Sequence, residues 1–192
     1  LANMIYSVQD GYDFASENTF TIHPKSITAS IAAGSTFDKT YDGTTEVKQP
    51  VQAAGLYDLD GVIEKDDVSL NIANASAVYA DKNARTGKAV NFTGLALSGN
   101  DAANYTFAGT ASGTGNIAPK LLDTIRIIGP IDKPQDGNDT AVLAGHYQLG
   151  ADLAAGDEVS LSGSGHYEDA LSGQHKLVTF RDLSLGGAEQ SN

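Results

Sequence analysis

Apolar and polar positions alternate along this chain in short runs, each broken after eight to twelve residues by Gly, Asn, Asp or Pro. The alternation is readable in Val68, Leu70 and Ile72, in Val90 and Phe92, in Leu95 and Leu97, and in Tyr105 and Phe107. A two-residue period puts every second side chain on one face, so these runs predict strands with one apolar side. Thr, Val, Ile, Tyr and Phe recur in them, which suits pleated backbone. Helical spacing is poor: the chain holds 21 glycines, and only residues 51–56 and 149–155 offer a turn or two of helix. The pattern predicts an all-β protein with little helix.

The pattern is also written twice. Asp38, Lys39, Asp42 and Gly43 recur 94 positions later as Asp132, Lys133, Asp136 and Gly137, in the runs FDKTYDG and IDKPQDG. Asp66, Val68, Ser69 and Leu70 recur 91 positions later as Asp157, Val159, Ser160 and Leu161. From Tyr79 to Asn104 the offset settles at 88, and nine of 26 positions are identical without a gap. Unrelated sequence gives roughly two, so the two stretches read as copies of one supersecondary unit. The falling offset implies two deletions of three residues in the second copy, placed in connecting loops where length changes are tolerated. At the front, Ile22, Pro24 and Lys25 stand 95 residues before Ile117, Pro119 and Lys120, so each Pro-Lys marks a module junction.

The division that follows has three parts. Residues 1–24 are the end of a preceding repeat, 25–119 one full module, and 120–192 a second, divergent module lacking its last strand. An immunoglobulin-like sandwich and a β-grasp-like module both accommodate such short strands, and the sandwich is favoured. The missing strand leaves an open edge suited to pairing with another chain.

Composition narrows the partners. Twelve Lys and Arg face twenty-four Asp and Glu, giving a formal charge of -12 spread along the chain. Phosphate backbones are bound through clustered cations, which argues against nucleic acid and anionic membrane. No apolar run approaches the roughly 20 residues of a membrane-spanning helix, so membrane insertion is not expected. The opening LANMIYSVQDGYDF lacks the basic start and apolar centre of a secretion signal, as expected of a chain excised from something longer or already processed. Cysteine is absent, which excludes disulfides, thiolate catalysis and thiolate zinc sites while naming no compartment.

The residues at the core of the repeat are the KTYDGTT run at 39–45, DDVSL at 66–70, YADKNARTGKAVNFTGLALS at 79–98, NDAANYTF at 100–107 and IAPK at 117–120. In these the chain resembles the YDG-type repeat of long bacterial surface proteins, including filamentous haemagglutinin-like adhesins exported by two-partner secretion. The resemblance is strong over about residues 23–120, whereas the second copy carries Pro134 and Gln135 in place of Thr40 and Tyr41. It implies a β-rich extracellular module at the bacterial cell surface, repeated as a stalk between a secretion domain and binding or anchoring regions. From the residues themselves, Tyr41-Asp42-Gly43 and Asp136-Gly137 read as tight turns, because Gly takes positive φ and Asp bonds its own backbone.

Candidate chemistry is sparse. Asp58, Asp60, Asp66 and Asp67, with Glu64, gather in DLDGVIEKDD and offer oxygens to calcium. They lack EF-hand spacing, and the upstream pair is not repeated in the second copy, so a solvated acidic loop is the plainer reading. No other cofactor is expected. His23, His146, His166 and His175 show no zincin spacing, and His166 with Glu168 reads as solvated strand surface. Asn74, Asn91, Asn104 and Asn138 each open an Asn-X-Ser/Thr sequon. A nucleophile, base and orienting group cannot be picked out, so an enzyme is not expected.

Two functional readings follow. In the first the chain is a stalk or spacer whose partners are the neighbouring repeats, contributing through them to cell or biofilm-matrix adhesion. In the second it is an adhesive module whose loops or sheet edge contact a host or matrix glycan or protein. Aromatic contacts would then come from Tyr41, Tyr57, Tyr79 and Tyr147, foremost Tyr57 and Tyr147; Tyr79 recurs as Tyr167 and reads better as scaffold.

Overall fold

A computed structural model of the chain describes residues 21–150 and 153–192. The segment 1–24 assigned to a preceding repeat therefore lies almost wholly outside the described residues, as do positions 151 and 152. The first copy opens with β1 (Lys25–Ile31), β2 (Phe37–Thr40) and β3 (Tyr57–Asp60), followed by β4 (Ser69–Asn71) and β5 (Ser76–Tyr79). It closes with β6 (Arg85–Thr93), β7 (Ala96–Ser98), β8 (Tyr105–Phe107) and β9 (Ala111–Ala118). Among the described residues the only helix is the 3-10 turn at Ala102–Asn104; residues 51–56, read above as helix-compatible, form turns instead. No described helix is long and apolar enough to cross a membrane. The protein is all-β.

Two sheets, in the orders β2-β9-β6-β5 and β3-β1-β8, face each other, and a β4-β7 ribbon flanks them. The alternation in β6 explains the layering, since Lys88, Val90 and Phe92 point inward while their neighbours are exposed. Phe92 meets Phe37 at 5.0 Å and, from the opposite sheet, Tyr57 at 5.8 Å, both edge to face. Tyr41, Ala75, Tyr79, Leu95, Ala111 and Ile117 complete the core. Burying Lys88 is made tolerable by Asp81, 2.5 Å from its Nζ. The layering is that of a sandwich, but β1 runs parallel to β8, and β2 parallel to β9.

The closing strand β9 is what joins the larger sheet. It runs parallel to β2, with Phe37 opposite Gly115, and antiparallel to β6, with Lys88 opposite the same glycine. A Cβ at Gly115 would lie 1.9 Å from the Phe37 carbonyl oxygen, so only glycine fits there.

The second copy contains β10 (Ile125–Ile127), β11 (Thr140–Ala141), β12 (Tyr147–Leu149), β13 (Ser160–Tyr167) and β14 (Val178–Gly186). Its pairings reproduce those of the first. Ser69 opposite Ser98 becomes Ser160 opposite Gly186, and Tyr79 opposite Val90 becomes Tyr167 opposite Val178. The bridge of Glu46 to Val78 becomes Thr140 to His166, and Ile31 opposite Tyr57 becomes Ile127 opposite Tyr147. One deletion falls in the loop at residues 72–75, and its loss merges the counterparts of β4 and β5 into the single strand β13.

Because β9 has no slack at Gly115, Gly115→Ala is expected to destabilise the first copy by about 2–3 kcal/mol through overpacking. Urea unfolding followed by tyrosine fluorescence checks this, with Gly34→Ala as reference for the loss of a positive-φ glycine in open space.

Candidate functional site at the junction of the two copies

The YDG turn is held from inside. Gly43 has φ 76° and Gly137 has φ 81°, which favours glycine at both turns. In the first, Lys39 Nζ donates to Asp42 Oδ1 at 2.6 Å and to the Thr44 carbonyl at 2.7 Å, while Thr44 N–H also donates to Asp42 Oδ1. In the second, Lys133 Nζ donates to Asp136 Oδ1 at 2.8 Å and to the Asn138 carbonyl at 2.7 Å. Burial alone would raise the Asp42 carboxyl, but the bonds from Lys39 and Thr44 outweigh it and hold the group far below the usual range. Lys133 likewise lowers Asp136. Each lysine also lies over a tyrosine, Lys39 over the buried Tyr79 at 5.4 Å and Lys133 over the half-buried Tyr167 at 5.7 Å. Those tyrosines donate to the carbonyls of Phe37 and Ile131.

Tyr41 sits at the end of β2, where its N–H donates to the Ala118 carbonyl and its ring packs into the core. The hydroxyl leaves that core and donates to Asp157 Oδ1 of the second copy at 2.8 Å. Lys82, in the β5–β6 turn, donates to the same oxygen at 2.8 Å and lies 5.9 Å from the Tyr41 ring centre. The Asp157 side chain is only 2% exposed, so its charge depends on these two donors. Burial would raise its carboxyl; the bonds from Lys82 and Tyr41 prevail and lower it. Tyr41 is shifted up, by burial first and then by its bond to Asp157. The Lys82 ammonium is shifted up chiefly by Asp157.

Further contacts close the junction. Ala84 N–H donates to Asn192 Oδ1, Lys120 N–H donates to the Asn192 carbonyl, and a Cβ at Gly43 would meet Ala154 Cβ at 3.0 Å. The space left between Tyr41, Leu122, Ala154 and Asp157 is about 30 Å³, room for about one water. This arrangement fastens one copy to the next and has no space for a ligand.

The joint is not symmetric along the chain. Asp157 is the counterpart of Asp66, which in the first copy accepts from Tyr105 of its own module at 2.5 Å. At the positions of Tyr41 and Lys82 the second copy has Gln135 and Ala170, and Gln135 Nε2 reaches only the Ala170 carbonyl, at 3.4 Å. The side chains of the joint are thus present on one outgoing face and absent from the other.

The remaining sequence candidates are dispersed. Asp58 and Asp60 lie on β3, with Asp60 accepting from Ser30. Asp66 is engaged by Tyr105, and Asp67 accepts from Asn100. Among the described residues no three His, Cys, Asp or Glu come together in a way that could hold a metal ion. Tyr57 donates to the Val51 carbonyl at 2.7 Å, and Tyr147 accepts from Leu161 N–H at 2.9 Å. These two tyrosines occupy one module position, a relation legible in the repeated Ala-Gly-x-Tyr-x-Leu of residues 54–59 and 144–149. His166 faces Asp139 at 3.3 Å on the surface. Lys82 and Asp157 were not among the candidates; the signal for Asp157 was its acidic repeat of Asp66, whereas Lys82 carries no repeat mark.

Fold and junction together define a tandem array of small all-β modules. Residues 23–113 and 119–192 each match the YDG domain, and the chain belongs to that family. No curated protein and no solved structure matches it.

A double-mutant cycle on Tyr41→Phe and Asp157→Ala is expected to give a coupling of about 1 kcal/mol, read as the loss of hydrogen-exchange protection at Ala84 and Lys120. Zero coupling contradicts the joint. The junction also has a pH window. Asp157 is lowered on folding, so its contribution is complete above about 3.9 and is lost as pH falls through the depressed value. Tyr41 is raised, so its contribution is complete below about 10 and is lost as pH rises through the higher value. Protection at the same amides, taken relative to intrinsic exchange at each pH, should therefore fall at both extremes before either copy unfolds.

Proposed function

We propose that the chain is a stalk segment of an exported bacterial surface protein, a spacer without catalytic activity whose partners are the neighbouring repeats. The observation that carries this reading is the buried Asp157 carboxylate, which the second copy presents to Tyr41 and Lys82 of the first. A spacer must transmit position from one module to the next, and a joint held by a desolvated charge does so better than a free linker. The polar groups of Tyr57 and Tyr147 are engaged within the modules, which supports the spacer over the adhesive reading. The dispersed acidity suits a cation-rich exterior. In an array of this kind, adhesion resides in regions that the stalk projects.

A glycan and matrix-protein array probed with the labelled chain separates the two readings. The spacer reading expects no saturable signal from the wild type or from Tyr57→Ala. Saturable binding of any glycan or matrix protein by the wild type would establish the adhesive module instead.

A further inference from the structure

The turn that carries Lys82 has the same backbone frame in both copies. Ala80 N–H donates to the Ala89 carbonyl in the first, and Glu168 N–H donates to the Leu177 carbonyl in the second, both at 3.0 Å. Inside the frame, Asp81 Oδ1 accepts from Asn83 N–H at 2.8 Å and from Lys88 Nζ at 2.5 Å. Asp169 Oδ1 accepts in the same way from Leu171 N–H and from Lys176 Nζ. Lys88 is buried, so its ammonium is a fixed post beneath the turn, and the aspartate it holds sets the direction of the residue that follows. That residue is Lys82 in one copy and Ala170 in the other.

The receiving face is built with equal regularity. Glu189 Oε2 accepts from Glu158 N–H at 3.0 Å, and its counterpart Asp101 accepts from Asp67 N–H at 2.8 Å. The other oxygen of Glu189 lies 3.9 Å from Lys82 Nζ, which also reaches Asp157 Oδ1 at 2.8 Å. One cation of the first copy therefore meets two acids of the second.

We propose that residue 82 is the specificity-determining position of the joint, at which a cation on a fixed turn selects a neighbouring YDG domain with acids at the positions of Asp157 and Glu189. The inference rests on the stalk reading and names which neighbour the face accepts. Selection works through rejection. Of the two donors to Asp157, Tyr41 supplies a neutral hydroxyl, and among the described residues Lys82 is its one cationic partner. A carboxylate that stays buried without its counter-charge is strongly unfavourable, and a single hydroxyl does not offset that. A turn with an uncharged residue, as at Ala170, therefore turns such a face away. The second copy is thus unsuited to precede a face like its own, and the order of modules is set by the residue after the turn's aspartate.

Near-isosteric replacements in the full chain test this, read as hydrogen-exchange protection at Ala84 and Lys120, with Val90 in β6 as the control for folding. Lys82→Gln is expected to lower protection at the two junction amides by about tenfold or more while Val90 keeps its wild-type value, because Asp157 stays charged without a counter-charge. Adding Asp157→Asn to Lys82→Gln is expected to bring both amides back to within about threefold of the wild type, because a neutral pair needs no cation. Unchanged protection in Lys82→Gln would overturn the proposal and leave the joint standing. Protection lost in Lys82→Gln and not regained in the double variant would also overturn it, since the position would then act through shape and not charge. Unprotected junction amides in the wild type would overturn the joint and the proposal together.

Discussion

A carboxylate removed from water requires partners, and at Asp157 both partners come from the other copy. That constraint connects the features around it. The Tyr41 ring belongs to the first core while its hydroxyl belongs to the junction, so the orientation of β2 sets where the second copy sits. β2 is in turn held by β9, whose Gly115 permits the close parallel approach to Phe37. From the closing strand the chain passes through Pro119 and Lys120 into the second copy, where Lys120 N–H bonds the Asn192 carbonyl. Strand, turn and junction thus form one mechanical path, and the buried charge is its narrowest point.

The duplication shows which parts of the module are scaffold and which are free to change. Lysine under the turn, tyrosine beneath the lysine, and the Lys–Asp pair of Lys88 with Asp81 all recur, with Lys176 and Asp169 in the last case. These are local devices that fold a module whatever its neighbours. Tyr41 and Lys82 do not recur, and they are the two side chains that reach Asp157. Fold and joint therefore rest on different positions within one motif: Asp-Gly makes the turn, and the preceding tyrosine makes the connection.

Much of the fold was legible in the alternation. Val90 and Phe92 mark the buried face of β6, and the constant offset of 88 across residues 79–104 preserves the pairing register, because a one-residue slip would turn that face to solvent. Legibility failed where a contact joins residues with no periodic or repeated mark. Parallel pairing of β2 with β9 leaves no hairpin signal, since the two strands are separated by the rest of the module. The Tyr41–Asp157 bond spans 116 positions, and Lys82 has alanine at its repeat position. The repeat of Asp66 as Asp157 was visible, yet alignment cannot say that the same carboxylate serves its own module once and the junction the other time.

The central claim is that the two YDG domains are held as one body by a shared buried carboxylate. Backbone ¹⁵N relaxation at neutral pH tests it most directly, by giving a rotational correlation time for each copy. The account predicts one common value, which splits into two shorter values when Asp157 is replaced by alanine. Two distinct, shorter values in the unaltered chain would contradict it.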